Sequence, residues 1–113
     1  MNVFAVPNVT AVQTVERLDR SRLDTASELL RTLAAPVRLA LLVELGGGPR
    51  CVHELVDAVA VSQPLVSQHL RVLRGARLVA AERRGREMVY RLADERIGRI
   101  VQQAIQHTGE DRQ

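Results

Sequence analysis

The sequence predicts a mainly α-helical domain carrying one small β-hairpin, and three observations predict it. Apolar residues recur at helical spacing from about Leu23 onward, and a strand-like period replaces it only over Leu78–Arg83 and Arg86–Leu92. Aromatic residues make up 2% of the chain, with no Trp, one Tyr90 and one Phe4. A core must then be assembled from Leu, Val, Ile and Ala within a hydrophobic content of 46%, which suits packed helices. At 113 residues one small domain is expected, with an arm over residues 1–20, a folded domain over 21–110 and a tail over 111–113.

The first helical pattern passes through Leu23, Ala26, Leu29, Leu30 and Leu33. Pro36 interrupts it, because proline disfavours helix at Ala35 and is comfortable in a first turn. A second helix, "VRLALLVEL", turns Leu39, Leu42, Val43 and Leu45 inward and stops at Gly46–Pro49. That glycine run is followed by no Gly-Lys-Ser/Thr and so is not a phosphate-binding loop. "CVHELVDAVAV" predicts a short third helix with Val52, Leu55, Val56 and Val59 on one side.

"SQPLVSQHLRVLRGARLV" is the most informative stretch. Ser62 is an N-cap residue type, and Pro64 sits in the first turn, where its missing N–H costs nothing. Val66, Leu70 and Leu73 make the buried stripe, while Gln63, Ser67, Gln68 and Arg71 occupy the other face. The hairpin follows, with Arg84-Gly85 as its turn and Arg83, Arg84 and Arg86 at its tip. "DERIGRIVQQAIQHTGED" closes the chain as one amphipathic helix from Asp94, with Ile97, Ile100, Val101, Ala104 and Ile105 as its apolar seam.

Charge is unevenly placed. The chain has a net charge of +3 and no lysine, and from Ser62 to Arg91 seven arginines face two glutamates. That segment carries +5 and leaves −2 for the rest, the footprint of a polyanion binder. No apolar run approaches the ~18–20 residues a bilayer span needs, so no membrane partner is expected. The first residues lack a basic start and a long apolar stretch, so no signal peptide is expected. Cys51 is the single cysteine, which excludes an intrachain disulfide and points to a reducing, cytoplasmic setting. No nucleophile–base pair, nucleotide loop or closed metal motif points to an enzyme.

Two short helices joined by a brief turn, the second amidic and basic on its free face, then an Arg-tipped hairpin: this is the layout of a winged helix-turn-helix. The full order is four helices, a two-stranded hairpin and a closing helix. The major groove of B-DNA admits one α-helix whose side chains read base edges. Ser62, Gln63, Ser67, Gln68, His69, Arg71 and Arg74 are the expected contacts from the reading helix, and Arg83, Arg84 and Arg86 those from the hairpin, on phosphate or the minor groove. One copy is small for high specificity, so a dimer on a pseudo-palindromic double-stranded operator is expected.

"LAAPVRLALLVEL", "SQPLVSQHLRVLR", "GREMVYRL" and the final helix together resemble the ArsR/SmtB family of metal-responsive bacterial repressors, over roughly Leu23 to Glu110, with the look of actinobacterial zinc- or nickel-responsive members. The resemblance implies a homodimer built on the first and last helices that binds an operator and releases it when metal arrives. It also implies an intersubunit site in which Asp94 of one chain meets His107 and Glu110 of the other. On one helix Asp94 and His107 lie roughly 20 Å apart, so only an antiparallel second copy brings them together. The family's terminal pattern begins Asp-x-His, and here Arg96 stands where that His belongs. Arginine does not ligate as a cation, so one nitrogen and two carboxylates remain for Zn²⁺ or Ni²⁺.

Family members that sense thiophilic metals carry Cys-Val-Cys where this chain has Cys51 and His53, a second, sparser metal or redox candidate. Two alternatives stand beside the metal-responsive regulator. One is a regulator of the same fold that answers a partner protein or oxidation of Cys51. The other is a winged-helix module that binds protein, against which the arginine patch argues.

Overall fold

The computed structural model describes residues 19–110, without the side chain of Glu110. Most of the arm expected over residues 1–20, and the tail, lie outside the described residues. The chain divides into two compact units, residues 1–31 and 32–113.

In the first unit, helix α1 (Arg20–Leu33) starts three residues ahead of the Leu23 that periodicity predicts. Asp19 explains the earlier start. Its Oδ1 accepts hydrogen bonds from the Ser21 hydroxyl at 2.7 Å and from the Arg22 backbone N–H at 3.0 Å, the latter one of the backbone donors left open at every helix start. Both bonds hold the Asp19 carboxyl below its ordinary pKa, the Ser21 bond most. Leu23 and Leu30 of α1 remain exposed.

The second unit holds the end of α1, then α2 (Pro36–Gly46), β1 (Arg50–Cys51), α3 (Val52–Val59), α4 (Gln63–Gly75), β2 (Val79–Arg84), β3 (Glu87–Leu92) and α5 (Glu95–Glu110). Ala35 is extended, at φ −146°, as the residue before Pro36 must be, and Pro36 opens α2. Arg38 of α2 reaches back to donate its Nε–H to the Thr32 carbonyl at 2.6 Å, serving one of the carbonyls that the end of α1 leaves open.

Helix α2 is the hub, packing against α3, α4, α5 and β3. The inward set predicted for it needs correcting: Leu42 and Leu45 are buried, Leu39 and Val43 are half-buried, and Leu41 is fully buried. A helix with neighbours on several sides has no single stripe, so one-face periodicity misplaces its core. Leu55, Val66, Leu70 and Leu73 are completely buried, and Leu78, Val79, Ile97 and Val101 extend the same aliphatic core. Among the described residues no buried side-chain polar atom lacks a partner.

The sheet has three strands in the order β1-β3-β2, all antiparallel, where a two-stranded hairpin was expected. Cys51, expected to open the third helix, instead ends β1 opposite Val89 and serves as the N-cap of α3. The hairpin turn is also displaced by one residue. Arg84 pairs with Glu87, so the turn is Gly85-Arg86, with Gly85 at φ +63°. Glycine leading a two-residue loop is the type II′ arrangement, whose twist suits the flanking strands. Helix α5 packs against β3 at Gly98, where an added Cβ would lie 3.2 Å from Leu92 Cδ1. Among the described residues no helix is long and apolar enough to cross a membrane.

Candidate nucleic-acid interface and metal ligands

Helix α4 carries the candidate reading face because its apolar side is wholly committed. Val66, Leu70 and Leu73 are at 0% exposure, which fixes the rotation of the helix and turns Gln63, Gln68, Arg71 and Arg74 to the surface. Ser62 takes the N-cap conformation, at φ −63° and ψ 153°, and its carbonyl accepts from Val66 N–H at 3.0 Å. Its hydroxyl makes no cap hydrogen bond, so that side chain remains open at the tip of the helix. Ser67 is half-buried.

His69 is placed differently from its neighbours on that face. It is half-buried, and its Nδ1 lies 3.3 Å from Arg38 Nη1. Arg38 thus ties the end of α1, through Thr32, to the middle of α4. Periodicity could not have found this role, since the paired residues lie 31 positions apart. At the hairpin, Arg83, Arg84 and Arg86 are all exposed, and Arg84 is only loosely held, 3.7 Å from Glu82.

The ligand set implied for α5 meets an obstacle. Asp94 is spoken for by the arginine that displaces the expected histidine. Arg96 Nη2 lies 2.7 Å from Asp94 Oδ2, its Nε lies 3.2 and 3.1 Å from Oδ1 and Oδ2, and the Arg96 backbone N–H donates to Oδ1 at 2.9 Å. The Arg96 side chain first, and its backbone N–H second, hold the Asp94 carboxyl down to a pKa of about 2. A charge-neutralised carboxylate that caps its own helix is a poor metal ligand. His107 is exposed on the last turn of α5, and Glu110 ends the helix with its side chain outside the described residues.

A second set is brought together by the sheet. Cys51, His53 and Glu87 each offer one ligand atom, and these atoms lie within 4.8 Å of one another. His53 Nδ1 is 3.2 Å from Cys51 Sγ and 3.1 Å from Glu87 Oε2. The Cys51 backbone N–H and its thiol both donate to Glu54 Oε1, at 2.9 and 3.2 Å, so Glu54 is the capping partner of α3. Burial, above all, raises the Cys51 thiol pKa, with Glu54 and Glu87 adding to it. Sequence reasoning named Cys51 and His53 but not Glu87 or Glu54. Glu54 was visible as the third residue of a helix start. Glu87 was not, because only the pairing of β1 with β3 sets it beside Cys51.

The chain matches the family model described as bacterial regulatory protein, arsR family, over residues 35–81. It is 59% identical over 92 residues to the HTH-type transcriptional repressor SmtB of Mycobacterium tuberculosis, covering 81% of this chain and 68% of that one. To the HTH-type transcriptional regulator NmtR of the same species it is 38% identical, over 80% of this chain and 76% of that one. It superposes with a TM-score of 0.70 on the homodimeric winged helix-turn-helix DNA-binding domain of a possible ArsR-family transcriptional regulator from Mycobacterium bovis. There the identity is 28%, covering 85% of this chain and 90% of that one.

Proposed function

The chain belongs to the arsR family of bacterial regulatory proteins and is a DNA-binding transcriptional repressor of the SmtB type, not an enzyme, and we infer that a divalent metal modulates its hold on an operator. One observation carries the DNA-binding half of this reading. The fully buried stripe of α4 leaves amides and arginine as its outer face, beside a wing tipped by three exposed arginines.

On this reading Ser62, Gln63, Ser67, Gln68, Arg71 and Arg74 meet the major groove. Arg71 suits guanine O6/N7 and the glutamines suit adenine, whose edges present complementary donors and acceptors. Arg83, Arg84 and Arg86 hold phosphates and supply affinity more than sequence choice. His69 acts through Arg38, steadying α4 rather than reading a base.

The operator-bound species is a homodimer joined through α1 and α5. Each helix by itself leaves apolar side chains exposed, Leu23 and Leu30 on α1 and Ile100 and Ile105 on α5, as surfaces awaiting a partner do. Such a dimer reads two half-sites about one helical turn of DNA apart.

The metal is Zn²⁺ or Ni²⁺. An intersubunit set of Asp94 with His107 and Glu110 of the other protomer binds it only by displacing Arg96 from Asp94, and therefore weakly. Titrating Zn²⁺ and Ni²⁺ into wild type and His107→Ala, with and without a duplex selected from a random-sequence pool, tests the reading. Metal-dependent loss of duplex affinity is expected in wild type. Equal metal affinities in the two proteins would remove the α5 set, and duplex binding indifferent to metal would remove the regulatory half. A regulator driven by Cys51 oxidation gains no support, because the raised thiol pKa disfavours the reactive thiolate.

A further inference from the structure

We propose that Leu65, an exposed leucine at the start of α4, is a specificity-determining residue that selects thymine in each half-site by packing on its C5 methyl group. The proposal rests on the assignment of α4 as the reading helix and deepens it. It names an apolar group on the DNA that the polar side chains of that helix do not recognise.

Leu65 is the third residue of α4. Helical spacing puts it on the outer side: the next residue, Val66, is at 0% exposure, whereas Leu65 is at 38%. Gln68 stands one turn further on, at i+3, and Arg71 one turn beyond that, so the three make a continuous path along the free face. Pro64 beside it is exposed as well, and the tip of the helix therefore presents an apolar corner between Gln63 and Gln68.

A single exposed leucine on a protein surface is ordinary. Position sets this one apart. The N-terminal residues of a reading helix are those that reach base edges in the major groove. A leucine there offers no donor or acceptor, so a facing amino or carbonyl group loses the partner that water had supplied. Thymine alone among the four bases presents a methyl group in that groove, which leucine covers without such a loss. The same burial removes from water an apolar side chain that the folded protomer leaves in it.

Val72 supplies the internal contrast. It is similarly exposed, at 41%, and lies on the same side of α4 at i+7, about 10 Å nearer the helix C-terminus. That takes it away from the end that reads bases, so the same apolar exposure carries no base choice there. Spacing also locates the thymine. Side chains at i and i+3 have Cβ atoms about 5–6 Å apart, against a rise of about 3.4 Å per base pair. The thymine chosen by Leu65 lies one or two base pairs from the base read by Gln68.

The test uses the full-length protein and a duplex it selects from a random-sequence pool. Each thymine is replaced in turn by deoxyuridine, which pairs with adenine in the same way and lacks only the methyl, with symmetric replacements in both half-sites. At one position wild type should lose about fourfold in affinity per methyl, or about fifteenfold for the symmetric pair, the worth of one buried carbon at each half-site. Leu65→Ala should bind the thymine and uracil duplexes alike. Leu65→Met should retain the difference, and Val72→Ala should show it at the wild-type size. Both positions are exposed and alanine favours helix, so these variants keep the fold. A wild-type protein indifferent to every uracil replacement would overturn the proposal while leaving the reading roles of Gln68 and Arg71 intact. A methyl effect of equal size in Leu65→Ala would overturn it too, tracing the effect to another side chain or to duplex shape. Failure to select any duplex would remove α4 as the reading helix, and Leu65 with it.

Discussion

The Arg96 guanidinium grips both carboxylate oxygens of Asp94, at 2.7 Å from Oδ2 and 3.2 Å from Oδ1, where a family metal site would need that carboxylate free. One residue thus both removes a ligand and occupies another. Arg96→His reverses both effects, supplying an imidazole and releasing Asp94. Its Zn²⁺ affinity should rise by about 10–100-fold, the converse of losing support for a single ligand. Isothermal titration of the Cys51→Ser background isolates the α5 set. An unchanged affinity would mean that Asp94 and His107 never meet in the dimer.

The same ion pair sets a pH dependence. The folded Asp94 pKa of about 2 lies below its ordinary 3.8, so its ionised form favours the folded state. That contribution is complete above pH 3.8 and is lost as pH falls through 2. Asp94→Asn should therefore lower Tm at neutral pH, and the deficit should close in strong acid. Because the pair is exposed, solvent screens it, and the effect should shrink in high salt.

The wing arginines are expected to act on affinity rather than on sequence choice. Removing Arg83 and Arg84 together should lower the slope of log K against log salt by about 0.9 for each phosphate no longer neutralised. Arg71→Ala should instead relax base preference at one position of each half-site, costing about 1–3 kcal/mol there. Fluorescence anisotropy across a salt series and a panel of mutated duplexes measures both.

Leu70 is completely buried on the helix that bears the reading face. Truncation to alanine should cost about 2–5 kcal/mol, the range for buried leucines. For a domain of this size that corresponds to a fall of about 4–8 °C in Tm per kcal/mol. Thermal unfolding followed by circular dichroism checks this, and duplex affinity should fall along with it as α4 loosens.

Gly85 holds φ +63° at the wing turn, with nothing within 4 Å of where a Cβ would sit. Gly85→Ala therefore meets backbone strain and no clash. A stability decrease of about 1 kcal/mol is expected, with the wing arginines displaced and duplex affinity reduced. A Tm equal to wild type would show that the turn tolerates alanine.

The readable parts of this chain are those in which one helix packs on one side. In α4 the spacing of Val66, Leu70 and Leu73 was enough to identify both core and free face, because a single stripe is buried. In α2 the same reasoning missed Leu41, since four neighbouring elements surround that helix. The turn slipped by one residue because Arg84-Gly85 and Gly85-Arg86 both place glycine in a two-residue loop, and only strand pairing distinguishes them.

Sequence by itself determined the helical class, the reading helix with its amides and arginines, the Arg-tipped hairpin and the substitution at Arg96, since each depends on local period or residue chemistry. Tertiary structure alone decided what those groups touch. It drew His69 to Arg38 and added the two-residue strand β1 that sets Cys51 and His53 beside Glu87. The physical reason is that side chains 31 or 34 positions apart meet only when helix packing and strand register bring them there, and neither leaves a periodic trace in the chain.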